Sequence, residues 1–374
     1  MSKLLTSLLL VCCCTSWAGD FEDGFAAYQK HDFSEAMRLY KLAAAQGNSS
    51  AQFNLGEIYR LGLGGQEDYA EAARWYKLAA ARGNDKAQVI LGIMHRLGKG
   101  VNQDNAESIK LYKLAALQGN VAAQVILGEM YNNGQGITQD YKEAIGWYKS
   151  AAEQGNPAAQ NNLALMYYNG QGVAQDYKEA IRWYKSAAEQ GNPAAQNNLA
   201  LMYYNGQGIT QDYKEAIKWF KLAAGQGYST AQYMFAFMNY DGKGIQQDYK
   251  EAFKWFKFSA SQGYSAAQYM FASMYYNGQG ITQDYAEAVK WFKLAAEQGN
   301  ANAQWKFGGM YLFGTGVLQD YTRAHMWLNL AAANGNNNAV EARNTVAERM
   351  TTQQIELAQK MARDCQSRNY KNCD

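Results

Sequence analysis

Proline, cysteine and long apolar runs are scarce in this sequence. The 374 residues include two prolines and five cysteines. Because no stretch reads as a Pro-rich linker, we expect one continuous architecture rather than a string of domains. After the N-terminal leader described below, no stretch approaches the ~20 apolar residues of a membrane-spanning helix.

An excess of charge of either sign is also missing. Lys and Arg number 35 against 33 Asp and Glu, which gives a formal net charge of +2. A near-neutral chain without a basic run gives no reason to expect a nucleic-acid partner. His31, His95 and His325 are the three histidines. They lie too far apart along the chain to predict a metal site or a nucleophile–histidine pair.

The N-terminal stretch MSKLLTSLLLVCCCTSWA, residues 1–18, is predicted to be a signal peptide. Lys3 precedes the apolar run, and the small residues Ser16 and Ala18 occupy the positions that signal peptidase reads. We therefore expect an exported protein, periplasmic or secreted, whose mature chain is soluble. Lipidation at Cys12 is the less favoured alternative, because no small residue precedes that cysteine.

Cys365 and Cys373 are the only cysteines after the predicted leader. Two thiols this close together in an oxidising compartment are expected to form a local disulfide. The alternative is a pair of free thiols on a frayed tail.

A step of 36 residues organises most of the chain. Asp recurs at this step from Asp32 to Asp320, and Gly from Gly47 to Gly335, without insertion or deletion. Trp keeps the same step at positions 75, 147, 183, 219, 255, 291 and 327, with Leu111 in the one gap. Self-similarity this strict predicts a solenoid, in which each unit buries its apolar surface only against its neighbours.

Each unit is predicted to contain two helices. Leu199 lies on the apolar stripe of the first helix and Trp183 on that of the second, where we expect it to be core. Asp176 and Glu179 have the spacing of an N-cap and its capping box. Gly191 then ends the second helix, because glycine enters the left-handed region without steric cost.

The recurring polar residues and glycines have structural explanations that compete with any chemistry. Gly170 and Gly172 are weak evidence for a phosphate loop, because no strand precedes them and the loop recurs in every full repeat. The recurring Asp and Glu residues are accounted for by helix capping rather than by acid–base catalysis. We therefore predict no catalytic, cofactor-binding or metal-binding residue.

The motif order A-x-A-Q-x-x-L, M-Y-x-x-G-x-G, D-Y-x-E-A, W-Y and A-A-E-Q-G-N resembles the Sel-one-like repeat family, a relative of the tetratricopeptide repeat. About eight copies occupy residues 49–335. Residues 19–48 are similar to an N-terminal tetratricopeptide-like capping hairpin, and residues 336–374 to a C-terminal capping helix and tail.

The resemblance implies an all-α, right-handed α/α superhelical solenoid of 36-residue helix-turn-helix repeats. It also implies an exported scaffold that binds a protein or peptide, of unknown identity, along a concave face lined by the first helices. A cell-wall enzyme or β-lactam-binding protein is the alternative. This enzyme alternative fits the chain poorly. The cysteine-rich family members described in that way carry Cys pairs in their repeats, whereas the repeats of this chain contain no cysteine.

Each first helix has a second face, opposite its apolar stripe. The residue types on this face change from repeat to repeat along the chain. Charged and aliphatic residues at the start give way to aromatic ones. The candidate partner-binding residues are Tyr168, Tyr204, Tyr233, Phe237, Tyr240, Tyr269 and Tyr276. Tyrosine suits peptide binding because it supplies apolar area and a hydroxyl at low entropic cost. The alternative is that part of this face packs between neighbouring repeats.

Overall fold

The computed structural model describes residues 19–373, and every regular element in that range is an α-helix. The chain divides into two compact units, Met1–Trp183 and Tyr184–Asp374. The predicted signal peptide, residues 1–18, lies outside the described residues. No helix in the described part is both long and apolar enough to cross a bilayer.

The N-terminal unit is a stack of helical hairpins. Its helices are α1 (residues 19–29), α2 (Phe33–Ala45), α3 (Ser49–Leu61), α4 (Tyr69–Ala81), α5 (Asp85–Leu97), α6 (Asn105–Leu117), α7 (Val121–Asn133), α8 (Tyr141–Glu153), α9 (Pro157–Asn169) and the start of α10 (Tyr177–Glu189). From α2 to α9 each helix packs against the next one in the chain.

The C-terminal unit repeats this arrangement. After the end of α10 it contains α11 (Pro193–Asn205), α12 (Tyr213–Gly225), α13 (Ser229–Asp241), α14 (Tyr249–Ser261), α15 (Ser265–Asn277), α16 (Tyr285–Ala296), α17 (Ala301–Phe313), α18 (Tyr321–Ala333), α19 (Asn337–Ala347) and α20 (Thr352–Ser367). From α11 to α19 successive helices pack in chain order, and α20 packs against α18. The predicted all-α solenoid of paired helices is confirmed. Its right-handed sense stays a prediction.

The second helix of each repeat begins at an aspartate, as predicted. Asp176 Oδ1 accepts hydrogen bonds from the backbone N–H groups of Lys178 at 2.9 Å and Glu179 at 3.1 Å. The reciprocal half of the predicted capping box is wrong. The Asp176 N–H donates to the Tyr167 carbonyl at 2.9 Å, so Glu179 instead accepts from Arg182 Nη2 at 2.7 Å.

The Gly-x-Gly turn has two separate structural causes. Gly170 is the C-cap of α9, with φ 68°. Gly172, with φ 71°, lies so close to the preceding repeat that a Cβ would approach the Tyr141 carbonyl carbon to 2.7 Å. The loop is therefore a helix end followed by a packing point between repeats.

The predicted tryptophan core is only partly observed. Trp183, Trp219 and Trp327 are buried, whereas the other four repeat tryptophans are half-buried. The residue after each half-buried tryptophan is buried, as at Tyr76 and Phe256. Its ring fits against a small residue of the preceding first helix: a Cβ added to Gly56 would approach the Tyr76 ring to 2.5 Å.

Candidate partner-binding face

The first helices of the C-terminal unit carry the aromatic residues predicted from the sequence. We call Tyr233, Phe237, Tyr240, Tyr269 and Tyr276 the aromatic face; all five are half-buried. They lie on α13 and α15. Tyr168 and Tyr204 occupy the equivalent helix-end position of α9 and α11, Tyr168 in the N-terminal unit and Tyr204 in the C-terminal unit.

Tyr233 and Tyr269 contribute substantially to packing. Tyr233 lies 5.8 Å from Phe256 and 5.3 Å from Tyr264, ring centre to ring centre, and Tyr269 lies 5.8 Å from Phe292. Burial raises the pKa of both tyrosines. Phe237 stacks on Tyr233 at 6.1 Å. This part of the face thus packs against the core as well as facing outward, in line with the alternative left open by the sequence.

The tyrosines at the ends of the first helices share one geometry. Tyr240 meets Tyr249 edge-on at 5.2 Å, and Tyr276 meets Tyr285 at the same 5.2 Å. The Tyr240 hydroxyl also donates to Gln279 Oε1 at 3.1 Å. The equivalent ring pairs are Tyr168 with Tyr177 at 5.3 Å and Tyr204 with Tyr213 at 5.2 Å. One edge of each ring is therefore fixed by its own repeat.

Two lysines lie over these rings. Lys243 Nζ lies 5.7 Å from the Tyr204 ring centre and donates to its hydroxyl at 3.3 Å, and it pairs with Asp241 at 3.2 Å. Lys306 Nζ lies 4.7 Å from the Trp305 ring centre and 5.8 Å from that of Tyr276. Among residues 19–373 Lys306 has no carboxylate within ion-pair distance. Its charge is thus available to a ligand.

A cleft of about 480 Å³ opens where the aromatic face reaches the end of the unit. We call it the terminal cleft. It is lined by Tyr276, Trp305, Lys306, Gly309, Met310, Leu312, Phe313, Leu328, Asn338, Glu341, Ala342 and Thr345. Its walls come mainly from α17 and α19 and are mostly apolar.

Gly309 explains why the cleft is open. It occupies the repeat position that Phe237 holds two repeats earlier, and a Cβ added to it would meet no atom within 4 Å. Phe313 at the rim is 75% exposed. Of the candidate residues predicted from the sequence, Tyr276 lines this cleft. Phe313 and the α19 wall were missed, because α19 departs from the repeat motif.

The histidines and cysteines lie outside this face. His31, His95 and His325 belong to separate helices or turns, and within residues 19–373 no three His, Cys, Asp or Glu side chains form a group that could hold a metal ion. Cys365 and Cys373 form a disulfide with a Cα–Cα distance of 4.9 Å, and both are buried.

Comparison with known sequences and structures identifies the repeats. The sequence model of the Sel1 repeat matches residues 21–48, 49–84, 85–120, 121–156, 157–192, 193–228, 229–264, 265–300 and 301–336. The first match falls within the segment predicted as an N-terminal cap. No curated protein matches the chain.

Two solved structures are similar over most of the chain. A Sel1 repeat protein from Oxalobacter formigenes is 34% identical, with a TM-score of 0.67, over 83% of this chain and 90% of that one. A protective antigen of uropathogenic Escherichia coli strains with an SLR fold is 30% identical, with a TM-score of 0.54, over 99% of this chain and 96% of that one.

Proposed function

The chain belongs to the Sel1-repeat family, whose solenoids are generally scaffolds for protein–protein interaction, and we propose that it binds a protein or peptide partner through its C-terminal unit. The terminal cleft is the observation that carries this proposal. It offers a concave, mostly apolar surface continuous with the aromatic face through Tyr276. Clefts of this kind are the usual sites for an anchoring side chain.

The chemistry of the cleft favours a partner segment with an apolar anchor flanked by charged groups, because Lys306 and Glu341 both line it. Trp305 and Phe313 supply large aromatic surfaces at the rim and wall. Lys306, held over Trp305 without an acidic partner in the described chain, supplies a positive charge next to that apolar surface. Aromatic anchors dominate the energetics of protein interfaces, and a charge at the rim fixes orientation.

We also propose that the partner is met outside the cytoplasm. The features of a signal peptide in residues 1–18 and the disulfide between Cys365 and Cys373 support this location. Disulfides persist mainly in oxidising compartments.

Site-directed photocrosslinking tests the proposal. A photoreactive p-benzoylphenylalanine placed at Phe313 should capture a specific partner from an envelope or culture extract. The matched control is the same residue at Leu117, which is 77% exposed against 75% for Phe313 but belongs to the N-terminal unit. Identical adducts from both positions, or none from Phe313, would count against the cleft as the binding site.

A further inference from the structure

A second cavity lies in the N-terminal unit, between α1, α2 and α3. Its volume is about 190 Å³, and it is lined by Phe25, Tyr28, Tyr40, Phe53, Asn54 and Glu57. Four of these six side chains are aromatic. Glu57 is the one carboxylate among them, and none of the six is cationic. The cavity belongs to a different unit from the terminal cleft, so its role is independent of the proposed function.

An orphaned hydroxyl faces this cavity, and the sequence explains why. Gly24 packs on the Tyr40 ring as Gly56 packs on the Tyr76 ring, since a Cβ on Gly24 would approach Tyr40 to 2.9 Å. After Gly56 comes Glu57, which accepts a hydrogen bond from the Tyr76 hydroxyl.

At the first repeat the corresponding acceptor is missing. The residue after Gly24 is Phe25, whose ring offers no acceptor oxygen. The Tyr40 hydroxyl is therefore buried without a hydrogen-bond partner among residues 19–373, although Tyr40 itself is 0% exposed. Buried polar atoms in native proteins are nearly always satisfied, so an unpaired one beside a cavity points to a missing partner.

Burial is the main cause of the raised pKa of the Tyr40 hydroxyl; the Asn54 side chain partly opposes that shift, and Tyr28 and Glu22 add to it. Glu57 is held in place by Arg60, whose Nη2 donates to Oε2 at 2.6 Å and whose Nε donates to Oε1 at 3.1 Å. Arg60 offsets part of the Glu57 charge, so most of the attraction for a cation comes from the aromatic faces.

We propose that this cavity binds an organic cation that carries N–H groups, an alkylammonium or a guanidinium. The rings of Phe25, Tyr28 and Phe53 line the cavity around the charge, and aromatic rings attract cations through their faces. The Tyr40 hydroxyl oxygen and the Asn54 amide oxygen accept its N–H groups.

The size of the cavity limits the ligand to a small head group. A single water occupies about 30 Å³ in the liquid, so a cavity of about 190 Å³ holds a head group with a short stem and no folded segment. The same chemistry is offered by a lysine or arginine side chain of a protein and by a free amine.

Calorimetric titration of the full-length protein with n-butylammonium, and with 1-butanol as its neutral counterpart, tests the proposal. The cation should bind at least about tenfold more tightly, because only a positive charge is attracted by the ring faces and the carboxylate. Titrations with Nα-acetyl-lysine methylamide and Nα-acetyl-arginine methylamide then distinguish a protein side chain from a free amine. Equal binding of butylammonium and butanol, or no binding of any of these cations, would overturn the proposal.

Variants locate the binding to the cavity. Phe25→Ala changes a side chain that is already 43% exposed, and Glu57→Gln removes one charge; each should weaken butylammonium binding about fivefold. Leu117→Ala, at an exposed residue outside the cavity, should leave it unchanged.

Tyr40→Phe keeps the result interpretable if other variants lose stability. It removes only the unpaired hydroxyl, so the free protein should melt no lower than the parent. Its affinity for butylammonium should nonetheless fall about threefold, because one acceptor is lost. Unchanged affinity in Tyr40→Phe together with Phe25→Ala would place the cation elsewhere.

Discussion

Gln118 donates its side-chain amide to the buried Gln88, with Nε2 and Oε1 2.8 Å apart. Gln88 in turn donates to the Ala80 carbonyl at 3.2 Å. One buried side chain therefore joins three successive helices of the stack. The same pair recurs at Gln154 with Gln124, Gln226 with Gln196, Gln262 with Gln232, Gln298 with Gln268, and Asn334 with Gln304.

We call this series of hydrogen-bonded side-chain pairs the glutamine ladder. Removing one of its buried glutamines should destabilise the stack. In Gln124→Ala, the Ala116 carbonyl and the Gln154 amide would lose their partner, which should cost about 2 kcal/mol of unfolding free energy. Urea titration followed by circular dichroism measures the loss. Gln135→Ala, in an exposed loop of the same repeat, is the control and should be nearly neutral; equal stability of the two variants would contradict a role for the ladder.

The first pair of the glutamine ladder lacks its hydrogen bond, and one substitution should restore it. Gln52 Oε1 is buried without a hydrogen-bond partner among residues 19–373, because Arg82 stands where later repeats place glutamine. Arg82→Gln should supply the missing donor and raise the unfolding free energy by about 1 kcal/mol. A lower or unchanged denaturation midpoint for this variant would show that the unpaired oxygen is satisfied in solution.

Two adjacent aromatics should differ in their contribution to stability. Phe256 is fully buried and Trp255 is half-buried. Phe256→Ala should therefore cost about 3–5 kcal/mol through a core cavity, and Trp255→Ala at least about 1 kcal/mol less. Asp248→Ala, which removes only an N-cap, should cost about 1 kcal/mol. If the tryptophan variant proved the least stable in denaturant titrations, the burial order described above would be wrong.

Stability should fall on mild acidification because of His325. Its pKa is lowered first by burial and second by Arg343, so below about pH 6.5 the unfolded chain binds a proton that the folded protein does not. The stabilisation is present above that pH and is lost as the pH falls towards the lowered value. The urea midpoint of the parent should drop more steeply than that of His325→Leu. Parallel slopes for parent and His325→Leu would exclude this histidine as the cause.

The architecture was predictable because its determinants are local and recur. Asp176 and Gly191 mark helix ends through capping chemistry that acts within one turn of the chain. The failed half of the capping box has a non-local cause, since the Asp176 N–H is taken by Tyr167 on the preceding helix. Sequence spacing alone does not reveal that contact.

The candidate site was predictable only in part. A helical period places Trp255 and Phe256 about 100° apart, and spacing alone does not show that Phe256 is buried and Trp255 half-buried. The terminal cleft depends on the absence of a side chain at Gly309 and on α19, which lies outside the repeat motif. Tyr233, Phe237, Tyr240, Tyr269 and Tyr276 were located on one face, and their part in partner binding stays a prediction.

The affinity of the crosslinked partner for the parent and for Trp305→Ala tests the central claim, that the C-terminal unit binds through its terminal cleft. Trp305 is half-buried in the cleft wall, and loss of a central aromatic anchor typically costs ~2 kcal/mol or more. Binding should weaken more than about tenfold, while Leu222→Ala, at an exposed residue outside the cleft, should bind as the parent does. Parental affinity in a Trp305→Ala variant whose melting temperature is unchanged would contradict the account.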